Sequence, residues 1–183
     1  VYPTVEGASE VSRPKADLGD GTKGWHFDVT LHNLSDTEAT YELGSQALSE
    51  IVDGGFFTEH SLDWRGRGVA VSYSGAVSGA GEGATVTVPA KGEATVGVDI
   101  APGFEFAQYV ADNASSGTFL DGFVRFTSRT ETQPSLSVPY LGFYGDWGKP
   151  TIFDALASDG KGHMRASGLY DGETGTPLGF NPV

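Results

Sequence analysis

The chain has 183 residues, enough for one domain and part of another. Eleven Lys and Arg against 24 Asp and Glu give a net charge of −13, which leaves no basic stripe for nucleic acid and disfavours an anionic membrane surface. The absence of cysteine excludes disulfide frameworks, thiolate metal sites and cysteine nucleophiles.

Twenty-seven irregularly spaced glycines point to many turns between short strands, and 11% aromatics suffice for a sandwich core. No apolar run is long enough to cross a bilayer, so membrane insertion is not expected. Residues 1–23 are polar, with turn chemistry at Asp17-Leu18-Gly19-Asp20-Gly21, and read as a leading segment. Trp25, Phe27, Val29 and Leu31 then alternate with His26, Asp28, Thr30 and His32, the period-two pattern of a half-buried strand. After the Asn33-Leu34-Ser35-Asp36 turn, Ala39, Tyr41 and Leu43 mark the return strand.

From Ser49 to Gly68 the alternation lapses, and the segment reads as a long, partly exposed connection. Val69, Val71 and Tyr73 mark the next strand. Val86 and Val88 mark another, joined through Lys91-Gly92 to a strand containing Ala94, Val96, Val98 and Ile100. Pro102-Gly103 opens one short helix, with Phe106, Val110 and Ala111 at helical spacing. Strands over Thr118–Ser128 and Leu136–Leu141 complete about seven, the number of an immunoglobulin-like sandwich. The predicted fold is all-β, an immunoglobulin/fibronectin type III-like antiparallel sandwich over residues 24–148 with one short helix. After Trp147 the alternation fades, so residues 149–183 read as the truncated start of a following module. The whole reads as an internal piece of a longer protein.

Four segments carry a family resemblance. They are Val29 to Thr40-Tyr41, Val86-Thr87-Val88-Pro89-Ala90-Lys91-Gly92, Thr118 to Phe126, and Val138 to Trp147. The last two are the specific ones. The chain resembles the fibronectin type III-like module of cell-envelope subtilisin-like serine proteases, the lactocepins and the streptococcal complement-cleaving peptidases. Family members usually carry Glu where this chain has Asp121. The resemblance implies a multidomain bacterial endopeptidase as parent, extracellular and associated with the cell wall. It also implies same-chain partners, namely the protease domain and neighbouring β-modules, and a role in framing protein substrates. Its signature residues here are Gly122, Phe123, Pro139, Tyr140, Gly142, Phe143, Gly145 and Trp147. Gly122 inside a strand permits close approach of another backbone, Pro139 suits an edge or strand end, and Gly142 and Gly145 let the chain leave the sheet. Phe143, Tyr144 and Trp147 would then plug the domain end as a joint to the next module.

None of His26, His32, His60 or His163 sits in the context of a subtilase base, and no serine sits in its nucleophile turn. No catalytic residue, cofactor or metal ligand is therefore expected. His26 and Asp28 share a strand face, but His32 is roughly 20 Å along the strand, too far to share an ion. Asp17 and Asp20, Asp159, and Asp171 with Glu173 lie in turns that lack EF-hand spacing. Phe56, Phe57 and Trp64 form the candidate surface contact loop. They also support the alternative function, an extracellular module binding carbohydrate or host protein.

Overall fold

The structure, a computed structural model, describes residues 1–8, 13–129, 131–149 and 169–178. The chain divides into two compact units, Val1–Asp146 and Trp147–Val183.

In the first unit, alternation writes two sheets. One is four-stranded, in the order β1 (Tyr2–Val5), β3 (Trp25–His32), β10 (Glu93–Pro102), β7 (Val69–Gly75). Its inward row sets Leu31 opposite Ala94, Val29 opposite Val96 and Phe27 opposite Val98, all buried. The other sheet is eight-stranded. Its main path runs β2 (Ala16–Gly21), β12 (Leu136–Tyr144), β11 (Thr118–Ser128), β4 (Ala39–Ser45), β9 (Thr85–Val88), β8 (Val77–Ser78). β5 (Leu48–Asp53) and β6 (Phe56–Asp63) branch from it as a hairpin. Leu120, Val124 and Phe126 of β11 point inward with Tyr41, Leu43, Val86, Val138 and Tyr140. The Phe27 and Tyr140 rings meet between the layers at 6.0 Å. This is a β-sandwich with one continuous core.

The expected strands are all present, as β3, β4, β7, β9, β10, β11 and β12. In this unit the structure adds β1, β2, β5, β6 and β8 among the described residues. These are short or exposed, so hydrophobic alternation does not betray them. Two expectations change as a result. Residues 1–23 do not merely lead into the sandwich: β1 pairs antiparallel with β3, and β2 pairs with β12. That second pairing is parallel, in a sheet whose other pairings are antiparallel. The Ser49–Gly68 connection is mostly the β5–β6 hairpin, turning through Gly54-Gly55.

The ends of the layers are clamped by side chains. Buried Asn33 donates its amide hydrogens to the carbonyls of Thr37, Val88 and Pro89, and its oxygen accepts from the Ser35 N–H and hydroxyl. One residue thus ties the β3–β4 turn to the β9–β10 turn. Helix α1 (Phe104–Asn113) closes the opposite end, burying Phe106 and Val110. Ala111 is exposed. The inward position falls to half-buried Tyr109, which is long enough to reach over Trp64.

In the second unit, β13 (Leu169–Tyr170) and β14 (Pro177–Leu178) pair as a small hairpin. Asp171 caps its turn, accepting from the Glu173 and Thr174 N–H groups and the Thr174 hydroxyl. Most of the stretch read as a following module, with Asp159 and His163, lies outside the described residues.

Candidate interaction surface

The functional candidates sit on the larger sheet, and one contact organises them. β4 ends at Ser45 and β5 begins at Leu48, with Gln46 and Ala47 bridging them beside β11. A Cβ on Gly122 would strike the Gln46 carbonyl oxygen and lie 2.8 Å from the Tyr140 hydroxyl. The missing side chain lets Tyr140, the cross-strand partner of Gly122, donate its hydroxyl proton to that carbonyl at 2.5 Å. Burial above all holds the Tyr140 phenol well above its ordinary range, so it remains a donor.

Outward from this pin, Phe119, Asp121, Phe123 and Arg125 of β11 alternate with the buried row. Their partners on β12 are Phe143, Leu141, Pro139 and Ser137. Phe119 and Phe143 meet edge to face at 5.3 Å. The outer face is therefore apolar along much of its length, with Phe119 and Phe123 each 39% exposed. A cavity of about 340 Å³ borders Phe123, Arg125 and Leu136. A second, of about 190 Å³, lies between β5 and β11.

The other signature residues take structural places. Pro139 precedes the stretch of β12 flanked by β2, which starts at Tyr140, so its missing N–H interrupts no β2 pairing. The Trp25 indole lies over Gly142, where a Cβ would stand 3.1 Å from the ring. Gly145 has φ +153 and donates to the Gly21 carbonyl at 3.2 Å. Phe143 is buried against Phe119, while Tyr144 packs on Phe106 at 5.0 Å. Trp147 opens the second unit and is 64% exposed.

The proposed contact loop splits in two. Phe56 and Phe57 are 69% and 53% exposed at the tip of the β5–β6 hairpin. Trp64, expected beside them at the surface, is buried. Its indole N–H donates to the Ser49 hydroxyl at 2.8 Å, and its ring packs against Phe106 and Tyr109. Phe56 to Ser61 are mostly exposed and show no strand period that runs on into Trp64, so local sequence gives no sign of this burial. The partners that bury it lie more than forty positions away on α1.

Two of the histidines, His26 and His32, are held by their surroundings, while His60 stands exposed on β6. His26 bonds Asp99 at 2.9 Å and approaches Asp28 at 3.4 Å. The Asp99 hydrogen bond raises the imidazole pKa, partly opposed by desolvation. Asp99 comes from β10 and carries no strand-periodic link to His26, so the sequence paired His26 with Asp28 alone. His32 takes Thr4 at 2.9 Å and Glu93 at 3.2 Å on its two ring nitrogens, with Tyr2 stacked at 4.9 Å. This hydroxyl–imidazole–carboxylate row lies on an open strand face, away from both cavities. Among the described residues, no group of three or more ligand-type side chains gathers for a metal.

The profile of the family described as "Fn3-like domain" matches residues 17–141. The chain belongs to the Fn3-like domain family. This Fn3-like domain is 24% identical over 154 residues to a C5a peptidase of Streptococcus pyogenes serotype M1, a match covering 80% of this chain and 11% of that protein. It is 27% identical over 171 residues to a PII-type proteinase of Lacticaseibacillus paracasei, covering 92% of this chain and 7% of that protein. A PII-type proteinase of Lactococcus lactis subsp. cremoris is 27% identical over 157 residues, with 85% and 7% covered. The chain thus spans 7–11% of the length of these relatives.

Proposed function

We propose that this Fn3-like domain is a non-catalytic accessory module of a secreted, cell-envelope subtilisin-like serine endopeptidase. In this role it orients the protease domain and frames protein substrates. The observation that carries the reading is the pattern of the matches. Most of this chain aligns with proteins named as peptidases and proteinases, yet it accounts for only 11% and 7% of their length. A piece of that size with a sandwich fold suits a scaffold role. Two of the described histidines support it, since His26 and His32 are occupied by strand-face neighbours and not by a serine.

Within this reading, Phe56 and Phe57 are the contact elements. Paired aromatics at the tip of a projecting hairpin suit a protein surface, where exposed aromatic anchors dominate binding. The alternative, a carbohydrate-binding module, loses its main stacking candidate with the burial of Trp64. The test is a serine-directed fluorophosphonate label and a peptide-hydrolysis assay on the isolated chain. Neither labelling nor turnover is expected. Either one, abolished by Thr4→Ala or His32→Ala, would instead make the module an enzyme.

A further inference from the structure

β5 leaves β11 after a single paired position, Leu48 opposite Asp121, and turns into its own hairpin with β6. The Tyr109 hydroxyl props this split, accepting the Val52 N–H at 3.0 Å and donating to the Glu50 carbonyl at 3.1 Å. The split opens the cavity of about 190 Å³, bordered by Leu48, Glu50, Ser61, Phe119, Asp121 and Leu141. At ~30 Å³ per water it has room for about six waters, the scale of one long side chain.

The cavity's chemistry is unbalanced. Leu48, Phe119 and Leu141 give apolar walls, while Glu50 and Asp121 bring two like charges. Neither carboxylate has a hydrogen-bond or ion-pair partner among the described residues. Elsewhere on the domain carboxylates find cations: Glu42 has Arg129, Glu82 has Arg65, and Asp36 has Lys91. Arg125, on the same face of β11, is turned away to the Gln46 side-chain oxygen at 2.6 Å.

We propose that this cavity receives the side chain of a lysine or arginine presented by a docking polypeptide. Its methylenes lie against Phe119, Leu141 and Leu48, and its cationic head meets Asp121 and Glu50. Charge complementarity selects this occupant, because an apolar side chain would leave both carboxylates unpaired and further desolvated. The rim beyond the cavity, with Phe123 and Pro139, offers apolar area to the residues flanking the cation. The Asp121 pKa is raised by burial and then by Glu50, a cost that an arriving cation relieves. The net charge of −13 favours approach of a basic partner. The pocket's chemistry is independent of what the parent protein catalyses.

The test is an NMR titration of the ¹⁵N-labelled chain with N-acetyl-arginine methylamide, N-acetyl-lysine methylamide and uncharged N-acetyl-norleucine methylamide. A cationic probe is expected to give saturable shifts confined to the amides around positions 48–50, 61, 119–121 and 141. The isosteric double variant Glu50→Gln/Asp121→Asn, checked for folding by its melting transition, should weaken that binding at least tenfold. Equal shifts from norleucine, shifts scattered elsewhere, or unchanged binding by the variant would overturn the proposal. So would submillimolar Ca²⁺ giving the same shifts, which would make the cavity a metal site. A dimer of the chain that dissociates in the double variant would give the cavity to a second copy and equally overturn it.

Discussion

The Tyr140 hydroxyl reaches the Gln46 carbonyl at 2.5 Å by passing over Gly122, its own cross-strand partner. The arrangement holds the β4–β5 junction against β11 and so fixes where the β5–β6 hairpin departs. Gly122→Ala places a methyl against a backbone carbonyl that has no flexible side chain to yield. It should destabilise by about 2–4 kcal/mol. Tyr140→Phe removes the bond without a clash and should cost about 1–2 kcal/mol. Urea denaturation of both variants checks the order; a Gly122→Ala domain as stable as wild type would remove the pin from the account.

Trp64 and the phenylalanine pair should behave as opposites. Trp64→Ala empties a site lined by Phe106 and Tyr109 and should cost about 3–5 kcal/mol. Ser49→Ala leaves the indole N–H unpaired and should cost about 1–3 kcal/mol. Phe56→Ser and Phe57→Ser, at an exposed tip, should shift stability by no more than about 0.5 kcal/mol. Thermal melts of these single variants separate the groups.

Asn33 satisfies three carbonyls from two turns with one amide. Asn33→Asp keeps the size and removes the donors, so those carbonyls lose their partner beside a new buried charge. A loss of about 3 kcal/mol or more is expected at neutral pH. The loss should shrink as pH falls and the new carboxyl protonates, which denaturation at two pH values will show.

Two groups give stability opposite dependence on substitution. The folded pKa of His26 lies above its ordinary 6.5, so its contribution is fully present below that value and disappears as pH rises through the folded pKa. Asp99→Asn should therefore destabilise near pH 5.5 and be neutral near pH 8.5. Both groups are about half exposed, which limits the effect to under about 1 kcal/mol. The folded pKa of Asp121 is likewise raised, above 3.8. The protonated acid is the favoured form in the fold, so its contribution is lost as pH rises through the folded pKa. Asp121→Asn should raise the melting temperature slightly at pH 7 and leave it unchanged at pH 3.

Strands with one buried face were legible because alternation records burial directly, as in Trp25 to Leu31 and Glu93 to Ile100. β6 was not, because nearly every residue from Phe56 to Ser61 faces solvent and no period survives. β2 was hidden for a related reason: its glycines and aspartates look like turns, and only its pairing with β12 makes it a strand. Trp64 was misplaced because its partners come from α1. The Gly122 and Tyr140 positions were legible as a pattern, but Gln46, which explains both, carries no sequence mark. Glu50 and Asp121 were likewise unreadable as a pair, since they lie far apart in the chain and only the strand split brings them to one cavity.

The central claim is that the domain supports a protease without performing its chemistry. The most direct measurement is hydrolysis of a protein substrate by the proposed parent protease with and without residues 1–146, beside the isolated chain. The account predicts no turnover by the isolated chain. It also predicts that the truncated parent keeps its fluorophosphonate-reactive serine but shows a reduced kcat/KM for protein substrate. Turnover by the isolated chain, or an unchanged kcat/KM and melting temperature in the truncated parent, would contradict it.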